Sequence, residues 1–190
     1  MDKQPTGSPR CPSPRSRVGT IPTRHPSATV EHPEPRVTTR YDAPFGRMVL
    51  SARGGLLVDV SFATGIGPES SLGAPILEAA VRQLARYFED PAYRFSLPLP
   101  LAGTEYMRRV WSALMQIPPG RTETYGSLAC RLASGPRAVA LACRANPLPI
   151  FVPCHRVVAA NGAGGYCGQT GGALLDIKLW LLKHEGCAVD

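Results

Sequence analysis

The chain has 190 residues, 44% of them hydrophobic, which is room for one compact domain, or two small ones and a tail, with a sizeable core. A net charge of +7 points to an anionic partner such as nucleic acid, although a solvated basic surface would carry the same charge. No apolar run approaches the roughly 18 residues of a membrane span, and Met1-Asp2-Lys3-Gln4-Pro5 lacks the apolar core of a secretory signal, so neither membrane insertion nor secretion is expected and a cytoplasmic protein is.

Residues 1–39 are rich in Pro, Ser, Thr and Arg, as in Pro9-Arg10-Cys11-Pro12-Ser13-Pro14-Arg15. They cannot bury enough surface to offset ordering entropy, so a disordered extension is expected. A small α/β unit follows over residues 40–102. Residues 47–52 and 56–62 read as strands, joined by the hairpin turn Arg53-Gly54-Gly55. Residues 75–89 read as a helix with Ile76, Ala80, Leu84 and Tyr87 on its apolar face. Residues 93–101 look extended, and their prolines suit an edge strand. No polar constellation stands out here, so the unit reads as a support.

Residues 103–190 are denser in signals. Thr104 is a plausible N-cap for a helix over 105–116, with Val110, Trp111, Leu114 and Met115 facing inward. Pro118-Pro119-Gly120 stops it. A short helix over 125–132, the turn Ser134-Gly135-Pro136 and a helix over 137–145 are consistent with a helix-turn-helix. That pattern alone is weak, because many helical hairpins bind no DNA. Asn146-Pro147-Leu148-Pro149 ends the helix and starts an extended approach to Cys154. A last helix covers 174–184, with Ile177, Trp180 and Leu181 inward. The expected fold is therefore an α/β N-terminal unit plus a mainly helical C-terminal domain with a helix-turn-helix and an active-site loop.

Six cysteines are present: Cys11, Cys130, Cys143, Cys154, Cys167 and Cys187. They form no CxxC pair and no compact framework, so they are expected as thiols, with Cys130 and Cys143 as small buried residues or pocket walls. Cys154 has a special context, Val152-Pro153-Cys154-His155-Arg156-Val157-Val158. Apolar runs bury the backbone, the proline restricts it, and the cationic neighbours favour the thiolate. Cys154 is thus a candidate nucleophile.

Several motifs in order resemble the O6-alkylguanine-DNA alkyltransferases, also called methylated-DNA–protein-cysteine methyltransferases. They are Ile117-Pro118-Pro119-Gly120, Thr124-Tyr125-Gly126-Ser127-Leu128-Ala129, Arg137-Ala138-Val139, Asn146-Pro147, Pro153-Cys154-His155-Arg156-Val157-Val158, Gly165-Tyr166 and residues 178–186. The likeness covers the chain from about residue 103 onward, is looser over the N-terminal unit and is absent from the tail. It implies direct reversal of DNA damage, in which a flipped O6-alkylguanine (with O4-alkylthymine as a second candidate) passes its alkyl group irreversibly to Cys154. The protein would act once, need no cofactor, and bind double-stranded DNA as a monomer.

The resemblance also implies roles. His155 takes the thiol proton through a water, and Glu185 orients His155. Asn146 braces the loop carrying the cysteine. Tyr125 donates a proton to the departing guanine and lies near DNA. Arg137 fills the gap left by the flipped base, Ala138 allows close approach to the groove, and Arg144 and Arg156 join the DNA-binding set. Cys143, Pro149, Val157 and Tyr166 belong to the substrate pocket, with the Val157 carbonyl accepting from the guanine amino group. The chain departs from the family in the longer loop over 167–177, where Gln169-Thr170-Gly171-Gly172 looks inserted. The zinc site of some members does not transfer, because Cys11, His25 and His32 sit at unmatched spacing. Three other readings stay open: a non-catalytic alkylguanine sensor, a Cys-His hydrolase, and a helix-turn-helix regulator in which Cys154 is incidental.

Overall fold

Glycine and the alternation of apolar residues build the first layer. Strands β1 (Val37–Ala43), β2 (Gly46–Arg53) and β3 (Leu56–Phe62) form an antiparallel meander in the order β1-β2-β3. The computed structural model describes residues 35–62 and 74–187. Gly54 and Gly55 join β2 to β3 with φ of 58° and 71°, the left-handed pair that a two-residue hairpin requires. Met48, Leu50 and Ala52 alternate onto the core side of β2, and a bulge lies at Ser51/Ala52.

β1 begins inside the segment whose composition favours disorder. Val37, Thr38 and Thr39 pair with Ala52, Ser51 and Leu50. Ladder hydrogen bonds to β2 order these residues, and composition does not record them. Residues 1–34, which hold the rest of that segment with Cys11, His25 and His32, lie outside the described residues.

Helix α1 (Pro75–Glu89) starts with proline in its first turn. Its buried face is Leu77, Ala80, Leu84 and Tyr87, so Leu77 takes the place expected for Ile76. Residues 93–101 form no strand. Pro98 and Pro100 have no N–H to donate, and the Ser96 N–H goes to the Gln83 side chain at 2.9 Å instead.

Helix α2 (Glu105–Met115) is capped by Thr104, whose hydroxyl accepts from the Met107 N–H at 3.2 Å. Val110, Trp111, Ala113 and Leu114 are buried, whereas Met115 turns outward and is 42% exposed. Next come β4 (Glu123–Thr124), α3 (Tyr125–Arg131) and α4 (Pro136–Arg144). Thr124 caps α3 by accepting from the Ser127 N–H at 3.0 Å. The Trp111 indole donates to the Ala142 carbonyl at 2.8 Å, tying α2 to α4. Cys130 stands exposed on α3, so the expected burial does not hold there.

The chain then makes a 3-10 turn at Cys154–Arg156, runs into β5 (Val157–Val158), and ends its described part with α5 (Ala173–His184). On α5, Lys178, Leu181 and Leu182 are buried. Ile177 and Trp180 are only partly so, and Trp180 packs edge-on against Phe45 at 5.3 Å. Two contacts fix the cysteine segment. β5 pairs in parallel with β4, Glu123 opposite Val157, which brings Tyr125 beside the turn. The Val60 N–H of β3 donates to the Pro147 carbonyl at 2.8 Å. One core runs from Leu50 and Tyr87 through Trp111 and Val139 to Val152 and Leu181. The architecture is a small sheet with α1, continued by a mainly helical segment. Among the described residues no helix is long and apolar enough to cross a membrane.

Candidate active site

Asn146, just past the C-terminus of α4, organises the approach to Cys154. Its side-chain oxygen accepts from the Leu148 N–H at 3.0 Å, and its Nδ2 donates to the Val152 carbonyl at 2.8 Å and to Cys154 Sγ at 3.2 Å. The loop is not extended: the Val152 N–H closes back on the Leu148 carbonyl at 2.8 Å, and Ile150 has φ of 76°. A β-branched residue in the left-handed region is strained, and the surrounding hydrogen bonds hold it there.

Cys154 is 3% exposed. Burial pushes its thiol pKa up, against the hydrogen bond from Asn146 and the charge of Lys178. The resting group is therefore the thiol. This corrects the expectation that the adjacent cations hold a thiolate. A 3-10 turn points successive side chains about 120° apart, so His155 and Arg156 leave the turn in other directions than the sulfur.

They face Glu185, at the C-cap of α5. His155 Nε2 lies 3.0 Å from Glu185 Oε1. Arg156 donates through Nε to Oε2 at 2.9 Å and through Nη2 to Oε1 at 2.8 Å, while its Nη1 reaches the Ile117 carbonyl at 2.6 Å. The Tyr87 hydroxyl of α1 donates to Oε1 at 2.8 Å. Burial alone would raise the Glu185 carboxyl, but the bonds from His155 and Arg156 outweigh it and hold it at about 2. Burial lowers the His155 pKa, with Glu185 opposing, so the imidazole is neutral. Its Nε2–H then donates to Glu185 and leaves the lone pair on Nδ1, a buried atom with no protein partner.

On the sulfur's side lies a cavity of about 440 Å³. Cys154, Cys143, Tyr166 and Tyr125 line it, with Arg137, Leu141 and Arg144 of α4 on one side and residues 167–170 on the other. The loop segment is a tight turn in which the Tyr166 and Gln169 main chains exchange hydrogen bonds of 2.8 and 2.9 Å, with Cys167 at φ 47° and Gly168 at φ 86°. Arg144 lies over Gly168, where an added Cβ would meet its Nε at 2.7 Å.

Lys178 is the buried cation nearest in effect to the sulfur. Its Nζ donates to the carbonyls of Val157 at 2.6 Å and Gly165 at 3.0 Å and sits 5.7 Å from the centre of the Tyr125 ring. Burial lowers its pKa to about 8, and Cys154 is the largest influence pulling it back up. Among the described residues no group of three or more His, Cys, Asp or Glu is arranged to hold a metal.

Residues 105–187 match the model of the 6-O-methylguanine DNA methyltransferase DNA binding domain. A methylated-DNA–protein-cysteine methyltransferase from Mycobacterium leprae is 38% identical over 150 residues, 76% of this chain and 88% of that protein. The chain belongs to the O6-methylguanine-DNA methyltransferase family. The crystal structure of the Mycobacterium tuberculosis O6-methylguanine methyltransferase is 33% identical with a TM-score of 0.68, covering 79% of this chain and 92% of that one. A further structure, Mycobacterium tuberculosis OGT in complex with DNA, is 32% identical with a TM-score of 0.62, over 80% and 92% of the two chains.

Within this methyltransferase fold the site residues expected from sequence separate into groups. Cys154 and Asn146 meet directly, as do His155 and Glu185. Tyr125, Arg137, Cys143, Arg144 and Tyr166 all reach the cavity; Ala138 is half-buried on α4 outside its lining. Tyr125 donates to the Gly165 carbonyl at 3.3 Å. Three expectations need correction. Arg156 is 5% exposed and bound to Glu185 and Ile117, so it cannot reach a phosphate. Pro149 is buried beside Val152, away from the lining. Val157 lies outside the lining too; its carbonyl accepts from Lys178 with one of its two lone pairs.

Two residues of the site had no assigned role. Lys178 could have been noticed as a charge on the apolar face of α5. Tyr87 looked like part of an apolar stripe, and nothing local marks its hydroxyl.

Proposed function

We propose that this chain reverses DNA damage directly, by moving the alkyl group of O6-alkylguanine in duplex DNA onto Cys154. The observation that carries this reading is the sulfur itself, held by Asn146 at 3.2 Å on the wall of a cavity edged by Arg137 of α4, in a member of this family. His155 Nδ1 takes the thiol proton through a water, and Glu185 stabilises the imidazolium. The sulfur attacks the alkyl carbon, the carbon–O6 bond breaks, and guanine leaves with that electron pair. Tyr125 supplies the proton that neutralises it. A stable thioether remains, whose carbon–sulfur bond water does not cleave, so each molecule acts once.

In this reading α3 and α4 act as a helix-turn-helix. Arg137 fills the gap left by the extruded base, Ala138 permits close approach, and Arg144 contacts the DNA. Cys143 and Tyr166 form pocket walls. Residues 103–190 carry binding and transfer, residues 40–102 support them, and a monomer acts in the cytoplasm.

Incubation with a duplex carrying isotope-labelled O6-methylguanine tests this. The label should appear on the Cys154 peptide by mass spectrometry and be absent from Cys154→Ser, which should melt like the parent. An unmodified sulfur in a folded sample exposed to the lesion overturns the proposal. Binding without transfer would identify a sensor, ester turnover a hydrolase, and preference for a consensus sequence over a lesion a regulator.

A further inference from the structure

The outward face of α4 carries one residue that alkyl transfer does not explain. Leu141 is 64% exposed, the most exposed large hydrophobic side chain among the described residues. A single exposed leucine is ordinary; its neighbours make this one different. It stands one turn after Arg137 and one turn before Arg144, so the three side chains form a stripe along the helix. All three border the cavity that contains Cys154. The remaining exposed residues of this face are small, Ala140 and, at the C-cap, Ala145. A helix face built to read base edges presents carboxamides and other hydrogen-bonding groups. This face presents two guanidiniums, a leucine and alanines.

Resting on the reading that the chain acts on duplex DNA, we propose that Leu141 is an apolar wedge that enters the minor groove beside the extruded nucleotide. Arg144 offers positive charge to the phosphates while Arg137 fills the vacated space, and leucine offers the matching surface for deoxyribose and for a partly unstacked base face. Arginine flanking an apolar wedge is the chemistry by which minor-groove proteins part a base step without reading its sequence. The wedge lowers the cost of extrusion where the cavity opens, and it leaves water only when DNA is bound.

The test is binding of the full chain to a lesion-free duplex, by fluorescence anisotropy over a series of salt concentrations. Leu141→Ala should weaken binding about tenfold at every salt concentration, because a buried leucine contact carries that much free energy. The slope of log affinity against log salt should not change, because no charge is removed. Leu141→Met should stay within about twofold of the parent, and Arg144→Ala should reduce the slope by about one. Parental affinity in Leu141→Ala, or a loss that comes with a changed slope, overturns the wedge. If the parent chain binds neither lesion-free nor lesion-bearing duplex, the DNA reading itself fails, and the wedge with it.

Discussion

The 3-10 turn at Cys154–Arg156 separates two environments of opposite character. On one side a single carboxylate, Glu185, receives His155, Arg156 and Tyr87 in a fully buried network. On the other side a thiol faces a cavity bordered by two further thiols, Cys143 and Cys167, and by aromatic rings. Adjacent residues in sequence thus serve different chemistry. The neutral His155 and the Arg156 cation beside Cys154 steady the carboxylate, while the sulfur depends on an amide from Asn146 and on the more distant Lys178. Burial keeps the thiol protonated until its proton has somewhere to go. The site is poised by a proton route rather than by a standing thiolate.

Removing the carboxylate should have the largest effect on folding. Glu185→Gln leaves Arg156 buried beside a neutral amide, so urea unfolding should show a loss of about 3–5 kcal/mol. A smaller loss, comparable to a surface substitution, would mean that water reaches Arg156 and that the two environments are less distinct than described.

Lys178→Met tests the sulfur's side. Loss of the ammonium should raise the thiol pKa further and shift the pH–rate profile of Cys154 alkylation upward by about one unit, roughly tenfold in rate at neutral pH. An unmoved profile would show that Lys178 only ties Val157 to Gly165.

Acid separates the two sides again. The Glu185 carboxyl is depressed from its ordinary 4.5 to about 2. Its contribution to stability is therefore complete above 4.5 and is lost as pH falls towards 2. Unfolding measured across that window should show a decline in the parent chain that is missing in Glu185→Gln. Tyr87→Phe should give the smallest effect, about 1.5–3 kcal/mol, since it removes one hydrogen bond to a carboxylate that keeps its other donors.

Local signals were readable where local physics decides. The bounds of α1 followed from apolar spacing between a proline and the end of that spacing. The start of α2 followed from Thr104, and the β2–β3 hairpin from two glycines that alone accept its φ values without strain. The reactive cysteine stood out because proline and apolar runs surround it. The order of the motifs identified the family, since several short patterns at matching spacing are hard to meet by chance.

Packing decided the rest. Tyr87 and Glu185 are 98 residues apart and meet only when α1 and α5 close on the same core. Arg156 looked available to DNA because a charged residue is usually solvated; the carboxylate that buries it arrives from the far end of the chain. β1 was hidden by its composition, because its order comes from a ladder with β2. Amino-acid order determined the helices, the turns and the identity of the nucleophile, all properties of neighbours along the chain. Which charge faces the sulfur, which faces the carboxylate and which faces solvent was left to tertiary structure, because those interactions depend on distances that exist only once distant segments have packed.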